Sequence, residues 1–283
     1  MERRPDLVME GASRMRVISF GSGSSGNAFL VQSGDTNLLV DAGVPIRRLR
    51  AGLEAAGVDR DRLNGVLITH EHHDHVCTLP QLLYHHDFPV VSTPGTIAAM
   101  RGQAQFHSKT CAVGKTTRVD RIEITAMSVS HDAAEPVGFF LDDGETRVAI
   151  FLDLGQADQR LTEPIEAAQL VVIEANHDGV MLQRGCYPAY LKWRIASSRG
   201  HLSNQDCSRF LATSLSSNTT EIWLAHLSAN NNTPTLARDV ITRELGSGMR
   251  VPRVRVLPRR GKDVIWDSAE IKNAPLQLRL PLG

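Results

Sequence analysis

The sequence predicts an α/β domain, and three observations lead to this prediction. Short apolar runs typical of buried strands alternate with amphipathic helix patterns along the chain. The alternation occurs in two successive halves, although no internal sequence repeat accompanies it. Polar side chains able to bind metals follow several of the strands, where loops build active sites on a rigid sheet. The hydrophobic fraction of 42% is ordinary for a globular protein with a real core.

Strands are predicted from runs of apolar and β-branched residues. They cover residues 15–20, 28–32, 37–41, 65–69, 89–92, 122–129, 136–141, 147–152, 169–174, 221–226, 251–256 and 263–266. We expect the domain to span residues 14–267, between an N-terminal tail at 1–13 and a C-terminal tail at 268–283, with poor order expected for 1–13 and 274–283.

Helices are predicted at 45–56, 204–214 and 234–245. Gly57 can end the first helix in a left-handed conformation. Ser203 is a suitable N-cap for the second, and Thr233 for the third, because a hydroxyl oxygen can accept from free backbone N–H groups in the first turn.

Residues 69–75 read Thr-His-Glu-His-His-Asp-His and carry the most informative pattern of the chain. His70, His72, Asp74 and His75 fit the spacing His-x-His-x-Asp-His directly after a predicted strand. Imidazole and carboxylate groups bind zinc, manganese or iron. A short turn can aim alternate side chains at two neighbouring ions. The alternative is a polar surface loop, but four donors in six residues favour a metal site.

Further donors follow other predicted strands. His131 comes after the strand at 122–129, Asp153 after 147–152, and His226 at the end of 221–226. A lone histidine in such a place is more often structural than a ligand. Together with the first cluster, however, these residues complete a set of seven ligands.

With these residues in place, the chain resembles the metallo-β-lactamase superfamily of hydrolases, and within it the WalJ/YycJ-like group. The superfamily signatures match Asp41, the 70–75 cluster, His131, Asp153 and His226. The group's features match the segments 21–27, 131–138, 174–178, 187–188, 191–192, 200–204 and 225–232. The resemblance covers residues 16–266 and implies an αββα four-layer sandwich. His73 and Leu152 depart from the usual pattern without removing a ligand.

The resemblance implies a role for each ligand. His70, His72 and His131 would hold one divalent ion, Asp74, His75 and His226 a second, and Asp153 would bridge the two. The ions would be Zn²⁺ or Mn²⁺, with Fe²⁺ also compatible, and would hold a bridging hydroxide as nucleophile. Asp74 has a second expected role in orienting that water or accepting its proton. Asp41 would hydrogen-bond a ligand histidine and fix its tautomer.

Two more histidines are candidates for roles beside the metals. His201 precedes a capped helix and corresponds in layout to a histidine of superfamily nucleases, so we expect it to protonate the leaving oxygen. His177 is the alternative, with a substrate-binding or structural role. A satisfied structural histidine remains an alternative interpretation of both residues.

The distribution of charge favours a phosphodiester substrate, although 31 basic and 31 acidic residues leave a formal net charge of zero. Residues 179–205 contain no acid, and neither do residues 245–262. We expect the first stretch to bind nucleic acid, and its candidate residues are Arg184, Tyr187, Lys192, Arg194 and Arg199, with Tyr190 and Trp193 available for stacking. The second stretch contains Arg250, Arg253, Arg255, Arg259, Arg260 and Lys262. Both stretches could instead be solvated faces. Ser25 and Asn27 belong to a glycine-serine loop (21–27) that could offer backbone N–H groups to a phosphate.

The sequence therefore predicts a two-metal phosphodiesterase, and the resemblance implies a 5′→3′ exonuclease on double-stranded DNA. One alternative is a hydrolase of a small ester, thioester or lactone on the same fold. Another is a non-catalytic, metal-dependent regulator that binds nucleic acid. Four cysteines without paired spacing favour a reducing cytoplasm. No apolar run approaches the roughly 20 residues of a membrane span, so no membrane partner is expected. The oligomeric state stays open.

Overall fold

The computed structural model describes residues 14–84, 86–102, 105–246 and 252–272. Its strands are β1 (Met15–Gly21), β2 (Ala28–Ser33), β3 (Thr36–Val40), β4 (Gly65–Leu67), β5 (Val90–Ser92), β6 (Ser108–Thr110), β7 (Thr116–Val119), β8 (Ile122–Ser128), β9 (Val137–Asp142), β10 (Arg147–Phe151), β11 (Leu170–Glu174), β12 (Glu221–Ala225), β13 (Arg253–Val256) and β14 (Val264–Asp267). Its helices are α1 (Ile46–Ala55), α2 (His73–Val76), α3 (Leu79–Leu83), α4 (Pro94–Met100), α5 (Thr162–Ala167), α6 (Gly179–Arg184), α7 (Ala189–Ala196), α8 (Asn204–Ser214), α9 (Pro234–Leu245) and α10 (Ser268–Lys272).

The strands form two seven-stranded sheets with related architecture. The first sheet has the order β14-β1-β2-β3-β4-β5-β6, and the second has the order β13-β12-β11-β10-β9-β8-β7. In the first sheet, neighbours from β14 to β3 are antiparallel and those from β3 to β6 are parallel. In the second sheet, neighbours from β7 to β10 are antiparallel and those from β10 to β13 are parallel.

Three apolar layers hold four layers of secondary structure together. Phe29 of the first sheet and Phe139 and Trp223 of the second lie in the layer between the sheets. Leu53 of α1 packs on the outer face of the first sheet. Leu211 of α8 packs on the outer face of the second. Because the inner strands are covered on both faces, they read as continuous apolar runs rather than alternating ones. The predicted αββα sandwich is confirmed.

The predicted strands and helices agree with the structure to within two residues at each end. Ser203 caps α8 by accepting from the backbone N–H of Asp206, and Thr233 caps α9 by accepting from that of Leu236. Gly57 follows α1 with φ +74°, as expected for a left-handed helix exit.

Several elements were not predicted, for physical reasons. β6 reads Ser-Lys-Thr and β7 is largely exposed, so neither carries an apolar pattern. The unpredicted helices have four to eight residues, too few for a periodic signal. Ser268–Lys272 forms α10 inside the predicted C-terminal tail, and the Ser268 hydroxyl accepts from the Met15 backbone N–H. Residue 251 and the tail segments 1–13 and 273–283 lie outside the described residues, and the domain boundaries stay a prediction. Within the described ranges no helix is long and apolar enough to span a bilayer.

Replacing Phe139 by alanine should lower the free energy of unfolding by about 3–5 kcal/mol, because the ring is fully buried between the sheets and its loss leaves a cavity. Urea denaturation measures this change. Glu123→Ala on the neighbouring strand is the control, since its side chain is exposed and surface changes typically stay within about 0.5 kcal/mol. A loss below about 1 kcal/mol for Phe139→Ala would contradict the assigned core.

Candidate metal centre

The candidate metal ligands follow strands whose carboxyl ends meet where the two sheets face each other. Asp41 follows β3 and His70 follows the adjacent parallel strand β4. In the second sheet, Asp153 follows β10 and His226 follows β12, while β11 lies between those strands and runs parallel to both. The carboxyl ends of parallel strands share one edge of a sheet, and crevices there bind ligands.

One trio of histidines converges at this edge. His70, His72 and His131 each offer a ring nitrogen, and these atoms lie within 4.8 Å of one another. His131 Nε2 is 3.2 Å from His72 Nδ1. The His131 ring is held from its other side, because Nδ1 donates to the Gly200 carbonyl at 3.0 Å. A backbone partner of this kind fixes the tautomer of a metal-binding histidine.

A second trio contains the remaining predicted ligands. Donor atoms of Asp74, His75 and His226 also lie within 4.8 Å of one another. The Oδ2 atom of Asp74 is 3.7 Å from His75 Nε2 and 3.4 Å from His226 Nε2. The short helix α2 makes this possible, since it carries Asp74 and His75 on its first turn directly after His72.

Asp153 lies between the two trios. Its Oδ2 atom is 3.8 Å from His70 Nε2 and 2.8 Å from His75 Nε2. His70 Nε2 is buried without a hydrogen-bond partner among the described residues, and Asp153 Oδ2, although close to His75 Nε2, makes no hydrogen bond of normal geometry there. Buried polar groups without a partner are rare and need an explanation, such as an ion.

This donor set fits a pair of divalent cations. Donor atoms of His70, His75 and Asp153 also lie within 4.8 Å of one another, and imidazole with carboxylate suits Zn²⁺, Mn²⁺ or Fe²⁺. The structure brings all seven predicted ligands together in this way.

Asp41 supports the second trio by holding the ring of His75. Its Oδ2 atom lies 2.7 Å from His75 Nδ1, and its Oδ1 atom accepts from the backbone N–H of Thr69 at 2.9 Å. The Thr69 hydroxyl also donates to this carboxylate. Asp41 therefore orients His75 so that Nε2 faces the site.

Glu174 is a candidate functional residue to which the sequence analysis assigned no role. Its buried carboxylate accepts from Nδ1 of His226 at 2.8 Å and from Nδ1 of His201 at 2.9 Å through Oε1. Its Oε2 atom accepts from the backbone N–H groups of Leu154 and Leu202. A signal for Glu174 was present in the sequence, because this residue ends an apolar strand. The candidate ligands Asp153 and His226 come just after the ends of similar strands.

Three of these side chains stand on strained backbone. Asp41, Asp153 and His226 have φ values of +60°, +51° and +52°. A left-handed conformation is unfavourable for residues with a side chain and costs on the order of 1–3 kcal/mol. Such strain concentrates at functional sites, where the surrounding structure over-determines the conformation.

Protonation in this cluster follows from its buried carboxylates. Burial by itself lowers the pKa of His75, but Asp41 and Asp153 outweigh it and raise that pKa to about 10. Burial likewise opposes the charge on His226, yet Asp153 raises its pKa well above the usual value. Burial and the neighbouring His75 hold the pKa of His70 well below its usual value. Since metal ligands must be deprotonated, cations bound here would compete with protons at His75 and His226.

Comparison with a family model decides the classification. Residues 21–181 match the metallo-beta-lactamase superfamily. The chain belongs to this superfamily. It is therefore a metallo-hydrolase, as the sequence resemblance implied.

Comparison with individual relatives shows which group of the superfamily the chain belongs to. It is 36% identical over 228 residues to the exodeoxyribonuclease YycJ of Bacillus anthracis, covering 79% of this chain and 86% of that protein. It is 35% identical over 231 residues to the exodeoxyribonuclease WalJ of Streptococcus pneumoniae, with the same coverage. The predicted WalJ/YycJ-like grouping is confirmed. Among solved structures, the metallo-beta-lactamase fold protein YhfI of Bacillus subtilis superimposes with a TM-score of 0.70 at 20% identity, covering 91% of this chain and 100% of that one.

In this superfamily member, three of the predicted substrate-binding residues lie on α6 and α7: Arg184, Lys192 and Arg194. No residue of α7 is buried, and Tyr190 and Trp193 are 73% and 77% exposed. Arg199 is exposed, and its guanidinium lies 3.4 Å from the His131 carbonyl oxygen. Arg194 pairs with Asp132 at 2.7 Å, next to the same ligand.

The other predicted substrate-binding residues differ in accessibility. Arg184 is exposed, and Lys192 donates to the Gln183 carbonyl oxygen at 2.7 Å. The Tyr187 hydroxyl accepts from Asn230 Nδ2. His177 is buried, and its Nδ1 atom has no hydrogen-bond partner among the described residues.

The glycine-serine loop contributes differently from the expectation. The backbone N–H groups of Ser22, Gly23, Gly26 and Asn27 all donate to protein oxygens, so they are not free for a phosphate. Asn27 is buried, and its amide nitrogen lies 3.2 Å from His75 Nε2. Asn27 therefore braces the loop against the metal ligands, whereas Ser25 is exposed.

Asp41→Asn should weaken the binding of one of the two cations about 10–100-fold, because the substitution removes the charge that orients His75. Asparagine tolerates the left-handed backbone of this position, so the fold should persist. Competition with a chromophoric chelator measures the affinities of both ions. Asp120→Asn is the control, since Asp120 also has a positive φ, +47°, but lies in the turn between β7 and β8. Equal affinities in Asp41→Asn and the wild type would contradict the assigned role.

Proposed function

We propose that this protein is a two-metal-dependent nuclease, acting as a 5′→3′ exonuclease on double-stranded DNA. The observation that carries the proposal is the convergence of two donor trios on the shared carboxylate of Asp153. The names of the YycJ and WalJ relatives support a deoxyribonuclease rather than another hydrolase of the superfamily. A cytoplasmic location belongs to the same proposal, and the four unpaired cysteines support it.

The seven candidate ligands would hold two catalytic ions. His70, His72 and His131 form one site, Asp74, His75 and His226 the other, and Asp153 serves both. When bound, two divalent cations would activate a water for attack and stabilise the charge that develops on the phosphate oxygens. Asp74 is the least buried carboxylate of the set, with a side chain 24% exposed, so it can also orient that water and accept its proton.

His201 would protonate the leaving oxygen. Glu174 fixes the ring through Nδ1, which leaves Nε2 for the substrate, and the side chain is 22% exposed. A hydrogen bond from Nδ1 to a buried carboxylate stabilises the protonated ring and holds its orientation. Glu174 thereby positions His201 and the ligand His226 relative to each other.

The exposed side chains of α6, α7 and the following loop would bind the DNA. Arg199 and Arg184 can neutralise backbone phosphates, which favours binding at low salt. Tyr190 and Trp193 offer exposed rings on which bases or sugars can stack. A small ester or lactone would need neither feature.

The decisive test is cleavage of end-labelled single- and double-stranded DNA and RNA, with single metals returned after chelation. We expect stepwise degradation of double-stranded DNA from the 5′ end in Zn²⁺ or Mn²⁺, and none after chelation. His72→Ala and Asp153→Asn should abolish cleavage, because each removes a ligand of the shared site. Model esters and lactones under the same conditions test the other hydrolase activity.

His201→Ala should behave differently from these two ligand variants. It should retain both ions, measured by elemental analysis, while turnover falls by about 100-fold, within the range of general acid catalysis. Full activity of His72→Ala would exclude the metal assignment. DNA binding without cleavage in any metal would instead favour a non-catalytic regulator.

Reversing the charge at Arg199 separates a nuclease from an esterase. Arg199→Glu should weaken DNA binding about tenfold and reduce its salt dependence, because one phosphate contact is lost. Arg121→Glu is the matched control: Arg121 is exposed but precedes β8, whose far end leads to His131 roughly 20 Å away. Unchanged salt dependence in Arg199→Glu would contradict a phosphate contact at this position.

A further inference from the structure

A cavity beside the metal centre shares only Ser25 with the site described so far. Its volume is about 470 Å³. It is lined by Ser24, Ser25, Leu227, Ser228, Ala229, Asn232, Pro234, Leu257, Pro258, Arg259 and Arg260. Leu227 directly follows the metal ligand His226, so one wall of the cavity continues into the second trio.

The lining of this cavity is cationic. It contains two arginines and three serines and no acidic residue. Neither Arg259 nor Arg260 forms an ion pair with any residue that the structure describes, whereas Arg255 on the preceding strand pairs with Glu221. The Arg259 Nη1 atom is buried and has no hydrogen-bond partner there. A buried guanidinium donor without an acceptor is costly, and an anionic ligand would satisfy it.

Arg259 is held in place by close packing. A Cβ atom at Gly23 would lie 2.7 Å from Arg259 Cγ, so a residue with a side chain at position 23 would collide with the arginine side chain. The Ser22 backbone N–H donates to the Pro258 carbonyl oxygen at 3.3 Å and joins the two segments. The same loop reaches His75 through Asn27, so the cavity and the metal centre share a wall.

We propose that this cavity binds a terminal nucleotide of the nucleic-acid strand through its phosphate group. The planar guanidinium of Arg259 matches two phosphate oxygens, and Arg260 with the serine hydroxyls supplies further donors. The volume lies within the roughly 300–1,000 Å³ of small-molecule sites, which admits one nucleotide but not a duplex. The inference rests on the proposed nuclease function and adds to it a site that recognises a strand end.

Cleavage rates on duplexes that carry phosphate or hydroxyl at the 5′ end, and separately at the 3′ end, test the inference. The wild type should prefer one phosphorylated end by about tenfold or more, since hydrogen bonds to a charged group are lost with the phosphate. Arg259→Ala should lose this preference, mainly through KM. Arg259→Lys should recover only part of it, because an ammonium group cannot bind two oxygens in a fork. Arg121→Ala should keep the full preference.

A binding measurement separates failure of this inference from failure of the nuclease assignment. Titration calorimetry with deoxynucleoside 5′-monophosphate, 3′-monophosphate and the free nucleoside requires no cleavage. A monophosphate should bind the wild type and Arg121→Ala at least about tenfold more tightly than Arg259→Ala. Equal binding by all three proteins overturns the inference, even if the protein is a nuclease. Selective binding without cleavage in any metal supports the cavity and removes the nuclease function.

Discussion

The structure depends on burying ionisable groups where the carboxyl ends of the two sheets meet. Asp153 is the centre of this arrangement, because its carboxylate lies between two imidazole-containing trios, each of which draws side chains from both sheets. A buried carboxylate is costly unless opposite charges surround it. Protonated His75 and His226 supply that charge without metal, and cations would replace their protons. Metal binding and cohesion of the two sheets are therefore linked.

This arrangement costs backbone strain at three positions. Asp41, Asp153 and His226 adopt left-handed conformations that neighbouring backbone contacts impose. The loops around them pack backbone against backbone: a Cβ atom at Gly155 would lie 2.2 Å from the Ser198 carbonyl oxygen, and one at Gly43 would overlap the Asp74 carbonyl. Strain of this kind keeps the ligands preorganised, so the site needs little rearrangement when ions bind.

The two trios have different surroundings, so the two sides of the site differ in charge and shape. The trio with His131 adjoins Arg199 and, through the pair of Arg194 with Asp132, helix α7. The trio with His226 adjoins the cationic cavity that contains Arg259. Glu174 holds His201 and His226 together beside Asp153.

The sequence alone predicted twelve of the fourteen described strands, the three longest described helices and all seven candidate ligands. Those signals are local: apolar runs, hydroxyl caps and a dense run of donors at 70–75 need no distant partner to be read. Glu174, the enclosure of Asn27 and the cavity at Arg259 depended on the tertiary structure. Each arises from segments far apart in the chain, such as residues 22–27 and 257–260. A carboxylate, an amide or an arginine acquires its role only from the neighbours that packing supplies.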